Sequence, residues 1–150
     1  MEFSHALSLL GLLAACAVTG YLIGRLIRER PSEVERRRPR IVASTAYLRD
    51  ALNGNLSTHS RFKCCFDCVY LCCAEVAEVQ GCHIEDLCHP TPEVIAIGLS
   101  AIKGSGEQLR TAELLAAWVI AASPELPAVP IKTACTLAKS IRRKTIVELS

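Results

Sequence analysis

Residues 61–80 read RFKCCFDCVYLCCAEVAEVQ, and five of these twenty positions are cysteine. At about 100° per residue, Phe62, Cys65, Phe66, Val69, Cys73, Val76 and Ala77 fall on one apolar arc, while Arg61, Lys63, Asp67, Glu75 and Glu78 fall opposite. That period predicts one long helix. Ser60 is placed to cap its start and Gly81 to end it in a left-handed turn. Such a helix must have its arc covered by other elements, so it is the expected centre of the domain.

Upstream, residues 3–24 contain no Asp, Glu, Lys or Arg and are dominated by Leu, Ala, Ile and Val. About twenty apolar residues, rising roughly 1.5 Å each, cross a hydrocarbon core of roughly 30 Å. Residues 6–24 are therefore expected to form a transmembrane helix. Two alternatives are a cleaved secretory signal and a lipoprotein signal, for which Leu13-Ala14-Ala15-Cys16 resembles the bacterial lipobox. Against both, the opening MEFSH has no Lys or Arg, and the apolar run continues past Cys16 to Ile23.

The net charge of +2 conceals an uneven distribution. Residues 25–40 carry seven Arg against three Glu, residues 132–148 carry five basic side chains against one Glu, and residues 41–131 carry five basic against ten acidic. Arg25, Arg28, Arg30, Arg36, Arg37, Arg38 and Arg40 all follow the apolar run and none precedes it. The positive-inside tendency then places the N-terminus outside and the bulk of the chain in the cytoplasm. There the nine cysteines need not pair, and their odd number argues against a complete disulfide set. The expected organisation is a membrane anchor over residues 1–24, an Arg-rich juxtamembrane linker over 25–40, and a cytoplasmic helical bundle over 41–150. Arg36, Arg37, Arg38 and Arg40 are candidate contacts to anionic lipid headgroups, at roughly 1 kcal/mol each. Arg142, Arg143 and Lys144 form a second basic patch, open to a protein partner of unknown identity or to nucleic acid.

Within the bundle, a short helix is expected over residues 45–52, closed by Asn53-Gly54. The central helix follows, and CHIEDLCHP after Gly81 reads as irregular or a single turn. Thr91 as cap and Pro92 in the first turn open the next helix, which runs to Ile102. Residues 107–122 are apolar almost all round from Leu114 onward and read as a buried helix, too short and too charged at its start to span a membrane. Residues 131–149 close the domain with Ile131, Ala134, Cys135, Ala138, Ile141, Thr145 and Leu149 on one face. No stretch alternates strictly enough for a strand. The fold class is all-α, a membrane helix followed by a bundle of about five helices.

The entry Leu56-Ser57-Thr58-His59-Ser60-Arg61-Phe62, with Phe66 and Tyr70 four apart in the following helix and Gly81 ending it, resembles the HEPN-type helical bundles. The resemblance implies a helical-bundle domain that is often nucleic-acid-associated. The ribonuclease branch of that group resembles the pattern Arg-x4-6-His, and none of His5, His59, His83 and His89 follows an arginine at that distance. RNA cleavage is thus not implied, and a binding or scaffold role is.

Cys64, Cys68 and Cys72 repeat at i, i+4, i+8 and form a thiol stripe, with Cys64 and Cys68 expected on the polar side of the helix. Thiolates so placed suit Cu(I), or half of a zinc site. Cys82, His83, Cys88 and His89 offer four further zinc ligands, although five residues rather than two to four separate the cysteines. The plainer reading is packing, because cysteine is a small, readily buried hydrophobe. No catalytic constellation is present: Gly104-Ser105-Gly106 lacks the Lys-Ser/Thr of a phosphate loop. The expected function is a membrane-anchored, non-enzymatic interaction or scaffold domain. A cysteine-based copper, zinc or redox protein and a nucleic-acid-binding domain are the alternatives.

Overall fold

Helices account for all the regular structure of the described residues, 33–150 of a computed structural model, and no strand occurs among them. They are α1 (Glu33–Arg37), α2 (Pro39–Ala51), α3 (Thr58–Val79), α4 (Pro90–Ala101), α5 (Gly106–Ile120) and α6 (Ile131–Glu148), with one 3-10 turn at Ile84–Asp86. Five long helices make an all-α bundle, as the sequence period requires. The expected anchor, residues 6–24, lies outside the described residues, as does Cys16. Among the described helices none is long and apolar enough to cross a membrane.

The central helix is α3, packed against α2, α4 and α6 and more lightly against α5. Its predicted apolar arc is buried throughout. So are Cys68, Cys72, Ala74 and Glu75, which leaves residues 72–77 buried without a break. An amphipathic period presumes one covered face, whereas a helix enclosed on several sides loses that distinction.

Helix boundaries follow their caps. Ser57, not Ser60, caps α3: the Ser57 side chain accepts from the Ser60 backbone N–H at 3.1 Å. The far end matches expectation. Gly81 has φ +85°, and the Cys82 N–H reaches the Ala77 carbonyl at 3.0 Å, closing the last turn. α4 starts at Pro90 rather than after Thr91, because proline is already set for a first turn and Glu93 Oε1 accepts the His89 N–H at 2.9 Å. α5 begins in a capping box, Ser105 with Gln108.

Two expectations about burial are corrected. α5 is not enclosed: Thr111, Ala112, Leu115, Ala116 and Trp118 are buried, but Leu114 is 47% and Ile120 63% exposed. Its apolar composition exceeds the one face that the bundle covers. The bundle also takes in the last part of the expected linker, residues 33–40. Pro39 opens α2, which starts six residues before Thr45, and Glu33–Ser150 is one compact unit. α2 turns Ile41, Ser44 and Ala51 inward. At its end the Ala51 carbonyl accepts from Arg61 Nε at 2.9 Å, which ties α2 to the start of α3.

Two arginines at the start of α2 are spent on α3. Arg38 Nη1 donates to Glu75 Oε1 at 2.8 Å, and Arg40 binds Glu78 through both terminal nitrogens, Nη2 to Oε1 at 2.7 Å, with Glu75 at 3.6 Å. The hydrogen bond from Arg40 holds the Glu78 carboxyl below its usual range and raises the Arg40 guanidinium. A lowered carboxylate contributes stability that is complete above an unfolded pKa of about 4.3 and is lost as pH falls through the folded value.

α4 approaches α3 closely at Gly98. A Cβ on Gly98 would lie 2.5 Å from both Cα and Cβ of Cys73. Gly98→Ala should therefore destabilise the full chain in detergent by about 1–3 kcal/mol in chemical denaturation followed by circular dichroism, whereas Gly54→Ala, with no atom within 4 Å of the added methyl, should stay within about 0.5 kcal/mol. Equal effects would show that the crossing is looser than described. Arg38→Ala should cost about 1–3 kcal/mol by leaving Glu75, only 9% exposed, without its closest cation, and adding Glu75→Gln should recover part of that loss.

Candidate functional site, a buried thiol seam

Eight of the nine cysteines lie among the described residues, all as free thiols. Five are on α3. The α3 helix can be approached closely by α2, α4 and α6 because small side chains occupy the contacts, and cysteine supplies them without a polar group that demands a full-strength partner. Cys65, Cys68, Cys72 and Cys73 are buried, Cys64 is half-buried, and Cys135 comes in from α6.

The thiols still make weak directional contacts. Cys65 S–H donates to Cys135 Sγ at 3.7 Å, and Cys135 S–H donates to the Ala51 carbonyl at 3.6 Å. Cys68 S–H points toward the Ala138 carbonyl at 4.0 Å. Burial, then the neighbouring Cys135, pushes the Cys65 thiol up, and burial raises Cys73. Cys64 is raised by burial and then by the carboxylates of Asp50 and Asp67. Cys68 is raised by its interaction with Cys72 and then by burial. Cys72 moves the other way, drawn down by the Cys68 S–H against the cost of burial, with the Ser44 and Thr145 hydroxyls on the same side. Thr145 faces Cys72 without good alignment, and its buried Oγ1 has no hydrogen-bond partner. A thiol with no access to solvent meets no dissolved reagent, whatever its acidity.

This arrangement corrects the expected stripe. Cys64 sits at the rim, but Cys68, expected on the polar side, is fully buried, as is Cys72. Cys82, His83, Cys88 and His89 flank the 3-10 turn, with Cys82 half-buried and the other three exposed. Among the described residues no group of three or more His, Cys, Asp or Glu is placed to hold a metal ion. The copper or zinc ligand sets expected from spacing are therefore not brought together.

The basic candidates are divided as well. Arg38 and Arg40 are engaged with α3. Arg37 pairs with Glu33 one turn away, and Arg36 is exposed. On α6, Arg142 Nη2 donates to Thr45 Oγ1 at 2.8 Å, and burial lowers its guanidinium pKa. Lys144 Nζ donates to the Lys103 carbonyl at 2.9 Å and to Gln108 Oε1 at 3.0 Å. Arg143 is exposed. Arg142, Arg143 and Lys144 thus do not act as one outward patch.

Sequence reasoning missed the parts played by four residues. Glu75 is a buried acid at a position assigned to solvent, Cys135 is the partner of Cys65, and Ser44 with Thr145 lines the Cys72 end. Only for the first did the sequence hold a signal, one of overall composition rather than local pattern, in the excess of arginine ahead of an acidic middle segment.

No family model, curated protein or solved structure matches this chain.

Thiol reactivity should follow burial. With Ellman's reagent on the native full chain, Cys88 should react first and Cys82 next, while Cys65, Cys68, Cys72 and Cys73 should react only after denaturation, at least about 100-fold more slowly in the native state. Fast labelling of Cys68 or Cys72 would mean that the seam opens.

Proposed function

We propose that this chain is a membrane-anchored helical interaction module whose bundle faces the cytoplasm. The observation that carries the reading is the use of the arginines that follow the apolar run. Arg38 and Arg40 are bound to Glu75 and Glu78 of the central helix, so the end of the Arg-rich stretch belongs to the bundle, which begins within about ten residues of an apolar run of membrane-spanning length. That closeness in sequence suits a domain held beside a bilayer. Arg36 and the nearby Arg25, Arg28 and Arg30 are the groups then left to meet anionic headgroups.

The enclosure of the α3 thiols supports a non-enzymatic role, since Cys65, Cys68, Cys72 and Cys73 are buried in the packing of the bundle. The resemblance to HEPN-type bundles agrees with a binding module and extends the reading no further. The partner is taken to be a protein, met through exposed side chains such as Arg143 and Lys139 on α6.

Cell fractionation tests this. The full chain should remain in the membrane pellet after high salt and alkaline carbonate, a version lacking residues 1–24 should be released, and a reporter fused after Ser150 should be active only in the cytoplasm. Release of the full chain by carbonate, or a reporter active only outside the cytoplasm, would overturn the proposal.

A further inference from the structure

Cys65 on α3 and Cys135 on α6 are separated by 70 positions, yet their sulfurs stand 3.7 Å apart. The other neighbouring thiols of α3 share one helix, whose geometry fixes them. This pair joins two helices, which can shift as units. A disulfide bond is about 2.05 Å long, so closure requires each sulfur to move by about 0.8 Å. Cys135 is the more open of the two, 6% exposed against 0% for Cys65. The Cys65 S–H already points at Cys135 Sγ.

We propose that Cys65 and Cys135 form a reversible disulfide when the protein meets a peroxide, stapling α6 to α3. The Cys135 thiolate attacks one peroxide oxygen, the O–O bond breaks, and the sulfur becomes a sulfenic acid while the other oxygen leaves as water after taking a proton. The Cys65 sulfur then attacks Cys135 Sγ, the S–O bond breaks, and the hydroxyl departs as water with the Cys65 proton. Two thiols lose two electrons and two protons in all, and hydrogen peroxide becomes two waters. A small dithiol reverses the bond by exchange.

The link also reaches α2. In the reduced protein the Ala51 carbonyl accepts from both Cys135 S–H and Arg61 Nε. Oxidation removes the S–H and leaves Arg61 as the remaining donor of the two. The chemistry therefore bears on the junction of three helices, α2, α3 and α6, and holds whether or not residues 6–24 span a membrane.

Reduced full chain in detergent, exposed to excess hydrogen peroxide, alkylated and digested without reduction, gives the test by mass spectrometry. The expected product is a peptide pair joined through Cys65 and Cys135 within one chain, with an upward shift of the thermal midpoint that dithiothreitol reverses. Cys65→Ala and Cys135→Ser should each abolish the link and the reversible shift, and Cys88→Ser should keep both. Should either core variant fold poorly, the peptide map of the unaltered chain decides alone. Free, alkylatable Cys65 and Cys135 in a chain whose exposed Cys88 has been oxidised, or Cys65 joined to a different cysteine, would overturn the proposal.

Discussion

The bundle depends on how closely helices can approach α3. At Gly98 against Cys73 there is room for a hydrogen and not for a methyl. Along residues 72–77 every side chain is buried, so the helix is enclosed rather than laid on a surface. Small side chains are the condition for that enclosure, and cysteine and alanine supply most of them. The thiols are a consequence of size before they are a source of chemistry. Their weak hydrogen bonds to Ala51 and Ala138 fit the same view, since a thiol tolerates an imperfect acceptor at little cost.

Enclosure also dictates where the charges go. Glu75 sits on the part of α3 that α2 covers, and a buried carboxylate is stable only when matched. The match comes from Arg38, with Arg40 closing on Glu78 beside it. Arginines that by position alone belong to a membrane surface are thereby partly consumed in holding the start of the bundle to its centre. Arg142 and Lys144 on α6 repeat the pattern, tied to Thr45 and to the turn after α4. Of the basic residues that mark the chain's two ends, a smaller set than composition suggests is left for partners.

Much of this fold could be read from the sequence, and the failures have one cause. The helices, the apolar arc of α3, its end at Gly81 and the inward face of α6 all rest on period and on turn chemistry, which are local. Cys68 and Glu75 were placed outward because a periodic pattern distinguishes two faces, and the centre of a bundle does not have two. Leu114 and Ile120 fail in the opposite sense, apolar by type but facing away from the core. Cap positions moved by a few residues where several serines, threonines and prolines compete for the same turn. The pairing of Cys65 with Cys135, and of Arg38 with Glu75, depends on contacts between distant segments that no local signal carries.

The picture that results is a helical module with a thiol-filled centre, in which Cys65 and Cys135 meet across two helices. Its central claim is that the cysteines of α3 serve packing. The most direct check is the metal-to-protein ratio of the full chain, purified anaerobically in detergent without chelator. The account predicts far less than one copper or zinc per chain. Near-stoichiometric metal, lost when Cys68 and Cys72 are replaced by serine in a variant that still folds, would contradict it.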